Sequence, residues 1–236
     1  GLGIKPAGFT AYSDDPAVAE YGEETNWSTE IGLEYNPCEE VQAGVRAYFN
    51  RIDDYQVNQS LADLAVTDFV ISNAEEVTVW GVEADLIWRP TERLTIRGSV
   101  GWQNAEFDDY MFFDPSVGTT FDYSGNAVPF VPEFTSSLGI HYDFGNGFYV
   151  QSALRGIGRT HFDSGPGTPA SGRPSFSEDS YAVFDAEVGY RGNGYSLSLY
   201  GRNLLDEEYY SFIDSNIFAG SPGDPQVVGV RATLEF

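Results

Sequence analysis

Hydrophobic and polar residues change places one by one along much of this chain. Across 28–35, Thr29, Ile31, Leu33 and Tyr35 fall on one side, and Glu30, Gly32 and Glu34 on the other. Across 41–50, Val41, Ala43, Val45, Ala47 and Phe49 oppose Gln42, Gly44, Arg46, Tyr48 and Asn50. Across 94–103, Leu94, Ile96, Gly98, Val100 and Trp102 oppose Thr95, Arg97, Ser99, Gly101 and Gln103. A repeat of two is the period of a β-strand whose faces meet different surroundings. Similar runs cover 77–89, 135–144, 147–157, 181–191 and 194–205, and a last one ends the sequence in VVGVRATLEF. With an opening strand near 1–10, the pattern predicts about ten strands. No stretch has the period of a long amphipathic helix.

The connections alternate in length. NPCEE, RPTER, FGNGF and RGNGY are tight turns built from Pro, Gly and Asn. Between them lie long segments at 11–27, 55–76, 107–134, 158–180 and 206–226. A soluble β-sandwich adhesin has no reason to gather every long loop at one end. An up-and-down sheet crossing an outer membrane does, with short periplasmic turns and long extracellular loops. The expected fold is therefore all-β: an antiparallel up-and-down transmembrane β-barrel, of which this chain is a part.

Aromatic positions give an independent reading. Tyr35, Trp88, Tyr142, Phe148, Tyr190, Tyr195 and Phe236 sit beside the short turns, on the apolar faces. Phe49, Trp80 and Trp102 sit about eight residues further along the same faces. Eight residues at about 3.3 Å rise, tilted by about 40°, climb roughly 20 Å, close to the height of a barrel's apolar band between two aromatic girdles. These ten residues are the expected membrane girdle, and the apolar faces are expected to meet outer-membrane lipid.

Composition agrees. The chain has 17 Phe, 15 Tyr, 4 Trp and 26 Gly, but one Met and one Cys, and Lys5 is its one lysine. Aromatics and glycine suit strands and turns, whereas Lys and Met favour helices. The formal net charge of -24 argues against a nucleic-acid partner, which needs clustered basic residues. Cys38 has no partner for a disulfide. The opening GLGIKPAGFT has no initiator Met and no signal-peptide pattern, and we expect a piece of a longer polypeptide.

Six segments resemble, in order, those of TonB-dependent outer-membrane receptors. They are GLGIKPAGF, EETNWSTEIGLEY, VWGVEADLIWRPTERLTIRGSVGWQNAEF, YSGNAVPFVPEFTSSLGIHYDF, LYGRNLLDEEYY and GDPQVVGVRATLEF. The resemblance covers nearly the whole chain. It implies that residues 1–236 form the C-terminal ten or so strands of a 22-stranded barrel, without the plug, the energy-coupling box or the earlier strands. It also implies a Gram-negative outer-membrane location, insertion by the barrel assembly machinery and energy from the TonB complex, reached through the missing N-terminal part. The implied activity is uptake of a scarce small molecule such as a ferric siderophore, with no bond made or broken.

Alternation places Glu30, Glu34, Arg46, Glu83, Asp85, Arg97, Arg155, Asp185, Glu187, Arg202, Arg231 and Glu235 on the lumen face. Arg155 and Arg202 are candidates for an anionic ligand or the plug, against the plainer expectation of a hydrated wall with cross-strand ion pairs. FDDYMFFD puts Tyr110, Phe112 and Phe113 in a long loop, where they could stack on a ligand or cluster with one another. His161, in another long loop, is a further candidate. No cofactor and no metal is expected: the spacing of Asp108, Asp109 and Asp114 is not that of a calcium loop. The alternatives are a passive outer-membrane channel and a ten-stranded barrel protease using His161 with Asp163.

Overall fold

The computed structural model describes residues 1–10, 20–60, 69–164, 176–214 and 219–234, the side chains of Ser60 and Phe69 excepted. Eighteen strands and no helix occur among them. They are β1 (Leu2–Lys5), β2 (Gly8–Phe9), β3 (Glu20–Tyr21), β4 (Glu24–Cys38), β5 (Val41–Ser60) and β6 (Phe69–Thr91). Then come β7 (Leu94–Asp109), β8 (Met111–Asp114), β9 (Thr119–Asp122), β10 (Phe134–Asp143), β11 (Phe148–Ile157) and β12 (Thr160–His161). The rest are β13 (Ser177–Glu178), β14 (Tyr181–Arg191), β15 (Tyr195–Arg202), β16 (Tyr210–Asp214), β17 (Ala219–Pro222) and β18 (Val227–Leu234).

Ten of these strands form one sheet in the order β1-β4-β5-β6-β7-β10-β11-β14-β15-β18. Every pairing in it is antiparallel. It is the expected meander of ten strands. The remaining strands pair as four small ribbons, β2-β3, β8-β9, β12-β13 and β16-β17, one within each of four long connections.

The fifth long connection corrects the sequence reading. Residues 55–76 read as loop, yet β5 and β6 stay paired out to Ser60↔Phe69. The cause is local. Asp54 has φ +57, in the left-handed region that Asp tolerates better than most residues. Below it, the buried Ile52 and Val77 lie on the lumen side of the alternation. Above it, Val57, Val70 and Ala74, which alternation alone would turn outward, are buried in the same cluster. Asn73 Nδ2 donates to the Asp54 carbonyl at 2.6 Å and steadies the switch. Burying these side chains keeps the hairpin paired beyond the membrane band.

The sheet is a single layer, so the faces decide its surroundings. On one face, register lines up apolar residues across strand after strand. Leu33 opposes Val45, and Val45 opposes Ala84. Ile96 opposes Trp88 and Ile140, Val150 opposes Val188, and Leu199 opposes Val230. Most remain exposed, among them Ile31, Leu33, Val45, Val82, Leu86, Leu138, Leu197 and Val230. A contiguous apolar surface this wide marks contact with an apolar medium.

The other face is polar and carries a repeated tyrosine–glycine pairing. Tyr48 opposes Gly81, Tyr149 opposes Gly189, and Tyr200 opposes Gly229. A Cβ at Gly81 would come within 2.6 Å of the Tyr48 hydroxyl and 2.7 Å of the Trp102 carbonyl. The missing side chain is what lets the ring lie flat on the neighbouring strand.

The buried core lies at the long-loop end, not between layers. Ile52, Val57, Val70, Ala74, Val77, Ala105, Phe107, Tyr110, Phe112, Phe121, Tyr123 and Val128 form one cluster. The segment after β7 folds back onto β7 through Gly125 N–H to the Phe107 carbonyl at 2.7 Å, Phe107 N–H to Asn126 at 3.0 Å and Val128 N–H to Ala105 at 2.9 Å.

Candidate functional site

Two rows of aromatics border the apolar face. At the short-turn end Phe148 meets Tyr190 edge-on at 4.9 Å, Tyr190 lies 6.0 Å from Tyr195, and Tyr142 meets Phe144 at 4.9 Å. Tyr35 and Trp88 stand exposed at the same end. At the far end Phe49 opposes Trp80, and Trp80 packs edge-on against Trp102 at 4.9 Å. Phe134 opposes Trp102, and Trp27 stands exposed on the outward side of β4. Trp27, Phe134 and Phe144 join these rows from the borders of loops and turns, where alternation gives a weak signal, although Trp27 continues the parity of Thr29 and Ile31. Phe236 lies outside the described residues, as does Glu235.

The lumen face is laced with ion pairs. Arg46 bridges β4 and β6, with Nε 2.9 Å from Glu30 and Nη1 3.7 Å from Glu83. Arg155 donates to Asp185 at 3.0 Å, and Arg231 to Glu187 at 3.3 Å. The Arg155 guanidinium thus has a carboxylate of the neighbouring strand as its partner. Arg202 differs. Among the described residues it has no ion-pair partner, and its guanidinium lies 5.8 Å from the centre of the Tyr200 ring. Arg97, which alternation also places on this face, likewise has no ion-pair partner among the described residues. Both sides of the Arg46 pairs are about half exposed to water, so each of these contributes about 0–1 kcal/mol. Arg46→Gln is expected to move the urea midpoint of the folded barrel by less than about 1 kcal/mol equivalent; a larger loss would mean that the wall depends on these pairs.

The loop candidates separate. Tyr110 and Phe112 are not displayed: they are 1% and 3% exposed. Tyr110 packs on Phe107 at 4.9 Å and Tyr123 at 5.4 Å, and Phe112 lies 6.5 Å from Tyr123. The β8-β9 ribbon turns alternate residues of FDDYMFFD inward, so Met111 and Phe113 point out, each about half exposed. Of the three aromatics, Phe113 alone has a surface to offer. His161 sits half-buried at the β12-β13 ribbon, where its carbonyl accepts the Phe130 N–H at 2.7 Å. The Asp163 carboxylate accepts the Phe176 N–H at 2.7 Å. Asp114, fully buried, accepts from the N–H of Ser116 at 2.8 Å and from its hydroxyl.

Burial pushes the Tyr110 phenol well above its ordinary value of 10.0, against the opposing hydrogen bond from Ser72 at 2.7 Å. The protonated phenol is the form the cluster accepts. Its contribution is complete below pH about 10, where the opened loop also keeps the proton, and is lost as pH rises through the folded value. Proteolysis of the 107–128 loop is expected to accelerate between pH about 10 and 11, and Tyr110→Phe to flatten that rise. An unchanged profile in Tyr110→Phe would assign the effect to another group.

These features have close counterparts. Residues 1–204 match the family model described as TonB dependent receptor-like, beta-barrel. The ferric yersiniabactin uptake receptor of Yersinia pestis superposes with a TM-score of 0.77 at 21% identity, over 100% of this chain and 34% of the receptor. The closed form of the ferric-catecholate import receptor Fiu of E. coli superposes with a TM-score of 0.71 at 20% identity, over 100% of this chain and 32% of the receptor. A copper transporter, OprC, gives 0.70 at 16% identity, over 100% of this chain and 36% of the transporter. At these identities the likeness is one of fold, and the chain spans about a third of the length of the proteins it matches. The two-faced, ten-stranded meander and the family match over most of its length lead to one conclusion: this chain belongs to the TonB-dependent receptor β-barrel family, Gram-negative outer-membrane proteins that are receptors and transporters, not enzymes.

Proposed function

We propose that this chain is the C-terminal wall of a receptor that takes up a scarce nutrient across the outer membrane with energy from the TonB complex, a ferric siderophore being the first candidate. The observation that carries the reading is the two-faced sheet: a lipid-ready face between two aromatic rows, backed by a hydrated, ion-paired face. A sheet ending at β1 and β18 would leave two unpaired edges in lipid, where unmet backbone groups cost several kcal/mol each. The remaining strands, together with the plug and the coupling segment, belong to the rest of the receptor. Its insertion is the work of the barrel assembly machinery.

Uptake of iron-loaded siderophores into cells carrying the full receptor tests the reading. Uptake that disappears when TonB is removed is the expected result. Uptake that persists without TonB would make the wall part of a passive channel. Saturable transport of copper, with none of ferric siderophores, would move the ligand class towards that of the copper transporter it resembles.

A further inference from the structure

The lumen wall holds a hollow of about 440 Å³ lined by Arg97, Arg202 and Arg231. In a chain of net charge -24, three arginines around one hollow require a reason. The acids beside them account for Arg231 alone, because Glu187 pairs with it and Asp185 is taken by Arg155. Asp185 accepts from Arg155 at 3.0 Å and from the Asn203 N–H at 2.9 Å. Glu187 accepts from the Tyr149 hydroxyl at 2.7 Å, from Gln151 at 3.2 Å and from Arg231 at 3.3 Å. Pairing Arg155 with Asp185 and Arg231 with Glu187 leaves Arg97 and Arg202 as two positive charges without an ion-pair partner among the described residues.

Register explains the shape. Arg97 opposes Gly139, Gly139 opposes Ala153, and Ala153 opposes Asp185. Arg202 follows Gly201, which opposes Ala186, and so stands beside Asp185 in the same row. Gly139 and Ala153 have almost no side chain to fill the space between. They form a low floor, with Arg97 at one rim and Arg202, behind the Arg155-paired Asp185, at the other. Four strand spacings of about 4.8 Å put the rims about 19 Å apart along the sheet. Two guanidiniums reaching across such a gap suit a ligand with several oxyanion groups better than a compact monoanion, because guanidinium binds carboxylate and phosphate in a bidentate fork. Tyr200 stiffens one rim: the guanidiniums of Arg231 and Arg202 lie 5.0 and 5.8 Å from its ring centre.

We propose that Arg97 and Arg202, with Arg231 behind them, form an anion site on the lumen wall for a polycarboxylate. The site rests on the transport reading, since it needs a lumen through which a solute passes. It also revises the sequence-based choice of cations, because Arg97 takes the place of Arg155. The carboxylates could come from the transported solute or from side chains of the receptor's own lumenal segment.

Isothermal titration of the purified full receptor with citrate at low salt tests this. If the solute supplies the anion, citrate binds. Arg97→Gln/Arg202→Gln then weakens binding by about tenfold or more, while Arg155→Gln stays within about threefold. If the receptor's own segment supplies it, citrate does not bind the wild type, and the double variant melts at a lower temperature than the wild type. The proposal falls if citrate is not bound and the double variant melts like the wild type. It falls equally if citrate binds both forms alike. Gel mobility of unheated samples checks that each variant still forms the barrel. TonB dependence is read in cells and is independent of the titration, so failure of the transport reading would be seen separately.

Discussion

Val45→Arg is expected to cost the folded barrel about 2–4 kcal/mol, the penalty of a cation at mid-depth in lipid. Val45 lies halfway between Val41, near the short turn, and Phe49, in the far aromatic row. It opposes Leu33 on one side and Ala84 on the other, so no polar neighbour of its own face could shelter the charge. Tyr35→Arg, at the rim, is expected to cost only about 0–1 kcal/mol, since a long side chain there reaches water. The difference between the two sites carries the argument. Urea unfolding of the full receptor in phospholipid vesicles measures both. Equal costs at the two depths would mean that the apolar face meets protein or water, not a bilayer.

Phe107→Ala is expected to open the outer loop while leaving the barrel intact. Phe107 is fully buried and touches Tyr55 at 6.3 Å and Tyr110 at 4.9 Å between ring centres. Removing such a ring costs about 3–5 kcal/mol through lost transfer energy and the cavity left behind. The cluster gathers β5, β6, β7 and the loop after β7, so the loss falls on their closure. Amide exchange over 107–128 is expected to speed up by roughly a hundredfold or more, as a local opening that the membrane band does not share. Tyr110→Phe keeps the ring and loses the bond to Ser72, and is expected to cost only about 1 kcal/mol. A Phe107→Ala receptor that loses the barrel mobility on unheated gels would show that the cluster is part of the barrel's own stability.

The wall was legible in the sequence because alternation has a fixed period and each strand reports its two faces directly. Val41 to Phe49 and Leu94 to Trp102 could be assigned residue by residue. The four tight turns declared themselves by Pro, Gly and Asn. The outer region was not legible for three physical reasons. Asp54 reverses the alternation by its left-handed backbone, and nothing in RIDDYQV announces which Asp will do so. Tyr110 and Phe112 are buried in a cluster that also gathers residues as far away in sequence as Val57 and Val70, which local pattern cannot supply. The choice between Arg97 and Arg155 depends on which arginine finds a carboxylate across the sheet, and alternation assigns faces, not partners.

The central claim is that one face of this sheet lies in lipid and the other in a water-filled lumen. Spin labels tell these apart most directly. With Cys38 replaced by serine, single cysteines would be placed in the full receptor along β5 at positions 43, 45 and 47, and at 44, 46 and 48. Collision rates with oxygen, which concentrates in lipid, and with a water-soluble nickel chelate would then be measured in vesicles. The account predicts oxygen-accessible labels at 43, 45 and 47 and chelate-accessible labels at 44 and 46, with 48 shielded by its neighbours. Chelate access at 45 equal to that at 46 would contradict it.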